Sequence, residues 1–307
     1  MAENLPGREA VEAVAKMQRY MLEHIHEPIT QQKLAQAAGY SPFYSAKLFR
    51  MLTGLPPFLY LRRLRLSRSA LKLRDEPARV IDVALEYVFD SHEGFTRAFA
   101  REFGVTPKHY SENPGPIPLF LPADVTSYYL YQLRCREEPE MKQTQDMIFV
   151  QIMERPARKL ILKRGKKAED YFAYCEEVGC DVWGILVSIK EALYEPIGLW
   201  LPSSMRSADT SVYAQGVEVP ADYQGEIPEG FDCMDLPACK MMVFQGPPYE
   251  DSEFMDAVGR VWRSLESFDP KLYGYEYAPE DAPRFQLSPE GYRGYIEGRP
   301  VRPVKRV

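Results

Sequence analysis

Through the first 110 positions apolar residues recur at intervals of three and four. From Val11 to His24 they fall on one helical face. Thr30 is placed to cap a helix that runs through Ala38, and Gly39 ends it. Ser41-Pro42 then restarts a helix, with a capping hydroxyl followed by proline at the first helical position, where its missing N–H costs nothing. Helix, glycine-containing turn and helix make a helix-turn-helix. In the second helix Ser45, Leu48, Phe49 and Leu52 form an inward stripe. Phe43, Ala46, Lys47 and Arg50 share the opposite face.

The pattern repeats. At an offset of 50, Phe49 matches Phe99, Gly54 matches Gly104, Pro57 matches Pro107 and Tyr60 matches Tyr110. Upstream, Ala35 and Ala84, and Tyr40 and Phe89, are offset by 49, so the second turn carries one extra residue. Each unit closes on the same signal, GLPPFLY and GVTPKHY. A helix from Phe58 to Leu73 lies between them and bears Arg62, Arg63, Arg65 and Arg68. In the second unit Phe95, Ala98, Phe99 and Phe103 point inward, while Glu93, Thr96, Arg97 and Ala100 point outward. The two outward faces put base-capable side chains near helix N-termini, where a recognition helix enters the major groove. The candidate DNA contacts are Phe43, Tyr44, Lys47 and Arg50, then His92, Glu93, Thr96, Arg97 and Arg101. Arg62, Arg63, Arg65 and Arg68 read as phosphate or structural contacts.

Beyond this the texture changes. Pro114, Pro116, Pro118 and Pro122 stiffen the start of a linker over 113–147, and Glu137 to Gln145 is polar. The aromatic, β-prone run Val125 to Leu133 is expected to pack on a neighbouring domain. From Ile148 onward strands, prolines and aromatics alternate, and a second repeat appears. Met153 to Gly165 aligns without gaps on Met234 to Gly246, with identical Met, Pro, Ala, Lys and Gly at an offset of 81. Each copy leads into a helix, Ala168 to Val178 or Ser252 to Leu265. Strands follow at Ile197 to Leu201 and Ser211 to Val219, or at Arg284 to Leu287 and Gly294 to Arg299. Two strand–helix–strand–strand units predict a pseudo-twofold α+β domain with a cleft between its halves. Candidate pocket residues are Phe172, Trp183, Trp200, Tyr213, Phe244, Tyr249, Tyr275, Glu276, Gln286 and Tyr292; aromatics with a few polar groups suit a planar ligand.

Charge sharpens the division. Residues 1–113 carry 16 Lys+Arg and 13 Asp+Glu, and the remainder 22 and 31, which sum to the net −6. Pro28 to Arg74 holds nine basic residues and no acid, which suits a phosphate-facing surface. No apolar run approaches the ~20 residues of a membrane span, and the N-terminus has no signal core, so a cytoplasmic location is expected. The five cysteines (Cys135, Cys175, Cys180, Cys233 and Cys239) lack CxxC spacing and read as reduced thiols, with no metal or cofactor expected. His24, His26, His92 and His109 have no recognisable nucleophile partner, and no P-loop or GxGxxG is present. No catalytic residue and no enzyme activity are expected.

Residues 30–110 resemble the AraC/XylS family DNA-binding domain. The likeness rests on L-A-x-x-A-G-Y at Leu34 to Tyr40, on L-F-R ending at Arg50, and on G-x-x-P from Gly54. F-T-R-A-F at Phe95 to Phe99 and F-G-V-T-P-x-x-Y at Phe103 to Tyr110 complete it. The resemblance implies seven helices over about 8–112, two recognition helices in successive major-groove segments, and a monomer sufficient for promoter DNA. It departs at Val88, where the family has Gly before an aromatic, and at Ala46, too short for a polar base contact. Residues 148–307 resemble the GyrI-like effector-binding domain in R-P-A-x-K, in Gly198 to Pro202, in Tyr275-Glu276, and in R-F-Q-L with G-Y-I-E. That likeness implies a small-molecule effector in the cleft, amphipathic and often a cationic aromatic. It also places Gln286 where many members have a buried Glu, so that a hydrogen bond replaces a charge. The expected function is an effector-controlled, multidrug-response-like transcription regulator. RNA polymerase is a further candidate partner. The alternative is a ligand-hydrolysing or protein-binding module fused to a DNA-binding domain.

Overall fold

The computed structural model of the protein describes residues 7–122, 125, 126, 129, 147–179, 181–250 and 253–304. These fall into two units. The first takes in the described residues up to 114 and from 120 to 129; the second takes in 115–119 and those from 147 on.

The first unit is helical, with α1 Arg8–Glu23, α2 Gln31–Ala38, α3 Pro42–Thr53, α4 Pro57–Asp75, α5 Val80–Glu86, α6 His92–Phe103 and α7 Pro107–Glu112. Local chemistry sets the boundaries. The Thr30, Ser41, Ser91 and Thr106 hydroxyls accept from backbone amides three residues on. Gly39, Gly54 and Gly104 end their helices in the left-handed conformation. The repeated closing signal has a packing reason: after each glycine the proline starts a new helix whose tyrosine folds back on the recognition helix. Tyr60 meets Phe49 edge-on at 5.0 Å, and Tyr110 meets Phe99 at 5.8 Å. The two tyrosines differ in polar company. Gln18 Nε2 donates to the Tyr60 hydroxyl at 2.8 Å. The buried Tyr110 hydroxyl has no partner among the described residues, and burial pushes its pKa up to about 12.

In the second unit the order is β1 Phe149–Arg155, β2 Arg158–Arg164, α8 Tyr171–Val178, α9 Asp181–Ser188, β3 Ile197–Trp200, β4 Tyr213–Pro220, β5 Asp232–Leu236, β6 Cys239–Gln245, α10 Phe254–Ser267, β7 Tyr275–Tyr277, β8 Arg284–Leu287 and β9 Ile296–Pro303. All described pairings are antiparallel, in the order β1-β6-β9-β8-β3-β4-β2-β5 with β7 also on β9. The order reads the same from either end once β1 is matched to β5, β2 to β6, β3 to β8 and β4 to β9. A pseudo-twofold axis therefore passes between Gly198 and Gln286, which face each other on β3 and β8. Tyr213-Ala-Gln-Gly216 and Tyr295-Ile-Glu-Gly298 occupy matching places on β4 and β9.

The repeat differs from the expected strand–helix–strand–strand. Each copy opens with two strands, and the Pro156 or Pro237 turn lies between them. The two do not pair with each other: β1 pairs with β6, and β2 with β4 and β5. Only two residues join β1 to β2, a reach of about 11 Å. The sheet must therefore curl until strands far apart in its order meet at these turns. Leu160, Leu162, Leu199, Met241, Val243 and Phe285 fill the inside of that curl. Within it the buried Glu218 carboxylate is paired with Arg155 and Arg158, each at 2.7 Å. The outer face carries α8 and α9 over β4, and α10 over β6.

Helix α9 lies outside the expected helices, although Val182, Ile185, Leu186 and Ile189 have helical spacing. Part of the expected linker is packed. Ile117 and Leu119 are buried, Ile117 N donates to Ser188 Oγ at 2.9 Å, and a Cβ on Gly184 would come within 1.9 Å of the Leu119 carbonyl oxygen. Most of Val125 to Leu133, all of Glu137 to Gln145, and Cys135 and Cys180 lie outside the described residues.

Candidate functional site

Helices α3 and α6 each bury one stripe, Ser45, Leu48 and Phe49 in one and Phe95, Ala98, Phe99 and Phe103 in the other. The opposite stripes are open. On α3, Phe43 is 83% exposed, and Tyr44, Lys47 and Arg50 are exposed with it. On α6, His92, Glu93, Arg97 and Arg101 are exposed and Thr96 is half-buried. Among the described residues Lys47, Arg50, Arg97 and Arg101 have no carboxylate partner. A cation on such a face is free to meet phosphates or base edges.

The arginines of α4 divide into two kinds. Arg63 pairs with Glu102 at 2.6 Å and lies over the Phe120 ring. Arg65 donates to the Ile25 and Glu27 carbonyls, at 2.9 and 2.5 Å. These two hold the domain together. Arg62 and Arg68 are exposed, without a carboxylate partner among the described residues.

In the second unit, strand register places Gln215, Gly198, Gln286 and Glu297 in one row across β4, β3, β8 and β9, so all four share the outer face. Two positions along, Tyr213, Trp200 and Arg284 make a parallel row on the same face. Helices α8 and α9 stand over β4 and α10 over β6, so the part of these rows on β3, β8 and β9 lies between the helices of the two halves, where the sequence predicts the cleft. Glu297 is fully buried. Its Oε2 accepts from Arg284 Nη2 at 2.7 Å and Trp262 Nε1 at 3.1 Å, and the Tyr295 hydroxyl is 3.3 Å away. Its Oε1 accepts from Arg299 Nε at 2.9 Å. The Tyr295 hydroxyl also lies 3.1 Å from Gln286 Oε1. Arg284 stacks on Trp200, its guanidinium carbon 4.1 Å from the ring centroid. Trp200 is fixed in turn by donating to the Glu169 carbonyl at 2.9 Å and by edge contact with Tyr213 at 5.1 Å. Burial raises the Tyr213 and Tyr295 phenols well above their ordinary range, so both stay protonated. Among the described residues the Tyr213 hydroxyl, Gln215 Oε1 and Arg284 Nε are buried without a partner.

Of the candidate pocket residues, Trp200, Tyr213 and Gln286 come together here. Phe244 and Tyr249 lie in the core under α10, with Phe172 and Tyr275 packed against it. Trp183 is half-buried on α9, and Tyr292 is 75% exposed on a short turn. Glu276 lies away from the cleft. It pairs with Arg302, which is on the sheet face opposite to Glu297. The buried acid is Glu297, one strand beyond the Gln286 that the sequence singled out. The signal available was the match of Tyr-x-Glu-Gly on β9 to Tyr-x-Gln-Gly on β4. Among the described residues no group of three or more His, Cys, Asp or Glu could hold a metal ion, and no helix is long and apolar enough to cross a membrane.

A family model described as a helix-turn-helix domain matches residues 34–113. The right origin-binding protein of Escherichia coli (strain K12) is 40% identical over 91 residues, which are 30% of this chain and 32% of that protein. The chain thus spans about a third of the length of that relative. Regulatory protein SoxS of Salmonella typhimurium is 35% identical over 88 residues, 29% of this chain and 82% of that protein. Among solved structures, the DNA-binding domain of AdpA, a global transcriptional factor in complex with a target DNA, is 29% identical. It covers 33% of this chain and 91% of that one, with a TM-score of 0.32.

Proposed function

The chain belongs, through its N-terminal helices, to the AraC family of helix-turn-helix proteins, and on that premise we propose that it is a DNA-binding transcription regulator governed by a small molecule held in its second unit. One observation carries the DNA-binding part. Two recognition helices at a repeat of 50 residues expose cations, Lys47 with Arg50 and Arg97 with Arg101, that no described carboxylate neutralises. With both helices in one chain, a monomer suffices to read two major-groove segments about 34 Å apart. Hydroxyl-radical footprinting on a selected operator is expected to show two protected segments one helical turn apart. Lys47→Ala and Arg97→Ala are each expected to cost about 1–3 kcal/mol in specific binding. Unchanged specific binding in both variants would sink the assignment.

The effector part rests on the cleft floor, where Trp200, Tyr213 and Gln286 present an aromatic and polar surface between the two halves. A planar organic molecule fits that chemistry. Binding is read by tryptophan fluorescence and thermal shift, and its effect on DNA by repeating the footprint with ligand present. A ligand that binds without altering DNA affinity would leave a sensor with no output and overturn the regulatory link.

A further inference from the structure

Resting on the reading of this cleft as the effector site, we infer that the effector is an anion, an aromatic carboxylate being its minimal form, and that Arg284 is the residue that reads the charge. Glu297 is already occupied by donors of the protein itself. An ionised carboxylate offers about four lone-pair sites. Arg284 and Trp262 donate to its Oε2 and Arg299 to its Oε1, the Tyr295 hydroxyl shares its one proton between Glu297 and Gln286 Oε1, and the side chain is fully buried. Two guanidiniums already face the acid that a ligand cation would seek. One carboxylate held between two guanidiniums leaves the floor with a surplus positive charge, so an entering cation meets repulsion.

The same rows hold donors without acceptors among the described residues. Arg284 spends Nη2 on Glu297, while its Nε is buried and has no partner among the described residues. The Tyr213 hydroxyl, against Gly198, is likewise buried without one, and the Tyr213 ring meets Trp200 edge-on. Both groups can donate. The unpaired Gln215 Oε1, an acceptor, lies one strand beyond Gly198. Arg284 lies over Trp200 with its side chain 31% exposed, so it is reachable. A guanidinium stacked on an aromatic face, with in-plane N–H groups still to satisfy, suits a planar carboxylate that continues the stack and accepts from the guanidinium edge.

Isothermal titration of the full chain at neutral pH with three matched probes, 2-naphthoate, 2-naphthamide and 2-naphthylmethylammonium, tests this. Naphthoate is expected to bind at least tenfold more tightly than the other two, with its fluorescence change lost in Trp200→Phe. In Arg284→Gln the preference for naphthoate should vanish. The ammonium probe should gain, because Glu297 then has an unfilled acceptor. Arg284→Lys keeps the charge without the planar fork and should retain part of the preference. If Arg284→Gln does not fold, the ranking of the three probes on the unmodified protein decides alone. Ammonium or amide binding as tightly as naphthoate overturns the anion assignment and leaves the cleft reading intact. Absence of binding by all three at millimolar concentration overturns the cleft reading itself, and the inference with it.

Discussion

Gly39 and Val88 hold the same left-handed backbone, with φ of 73° and 62°, at the same step of the two helix-turn-helix units. For glycine that conformation is free of Cβ strain; for a β-branched residue it costs about 1–2 kcal/mol. The second turn tolerates the valine because Tyr87 and Phe89, on either side, are tied to α5 through Val83 and Ala84 carbonyls. Val88→Gly is therefore expected to stabilise the N-terminal unit by about 0.5–1 kcal/mol, after the extra chain entropy of glycine is subtracted. The reverse change, Gly39→Val, should destabilise it. Thermal melts of both variants check the pair, and a loss of stability in Val88→Gly would show that the valine side chain is needed for packing.

Tyr60 and Tyr110 also occupy matching places, and their hydroxyls should respond differently to removal. Tyr60→Phe breaks the bond from Gln18 and should cost about 1 kcal/mol. Tyr110→Phe removes a buried hydroxyl that has no partner among the described residues and should be neutral or stabilising at pH 7. Because burial raises the Tyr110 pKa from 10.0 to about 12, the folded state keeps a proton that the unfolded state has lost. Its contribution is complete below pH 10 and is lost as pH rises towards 12. The advantage of Tyr110→Phe over the unmodified protein should thus widen above pH 10, by about 1.4 kcal/mol per pH unit. Denaturant melts at pH 8 and 11 measure it, and parallel curves at both would contradict the assignment.

The Arg155–Glu218–Arg158 cluster breaks the internal symmetry. The repeat places Leu236 and Cys239 at the positions matching the two arginines. All three charged side chains are buried, so removing the shared carboxylate leaves two guanidiniums in low dielectric. Glu218→Gln is expected to cost about 3–5 kcal/mol, whereas Arg155→Leu leaves a one-to-one pair and should cost markedly less. Equilibrium unfolding compares them, and equal losses would mean that packing outweighs charge at this site.

Within α4 the arginines should separate by assay. Arg62→Ala and Arg68→Ala are expected to leave the melting temperature unchanged and to reduce the salt dependence of DNA binding by roughly one unit of slope each. Arg65→Ala, which frees the Ile25 and Glu27 carbonyls, should lower the melting temperature. Thermal melts and anisotropy titrations at several salt concentrations read both. A melting temperature insensitive to Arg65→Ala would reassign that residue to DNA contact.

Much of the first unit was legible in the sequence because its determinants are local. A serine or threonine cap, a glycine in the left-handed region and an apolar residue every third or fourth place act within one or two turns, and they fixed α2, α3, α6 and the outward placement of Lys47 and Arg97. Even the anomaly at Val88 could be read as a departure from glycine. In the second unit, alternation and the repeat of Met153 on Met234 revealed strands and a duplication, but alternation assigns a strand two faces and no neighbours. Tertiary structure decided that β1 pairs with β6 and β2 with β5, because those bonds join residues 70 to 96 positions apart. It also decided the chemistry of the cleft. Glu297 is two residues from both Tyr295 and Arg299 in sequence, but Trp262 and Arg284 reach it only through the curl of the sheet and the seating of α10. A carboxylate's role depends on how many donors surround it, and that number is a property of packing between distant segments.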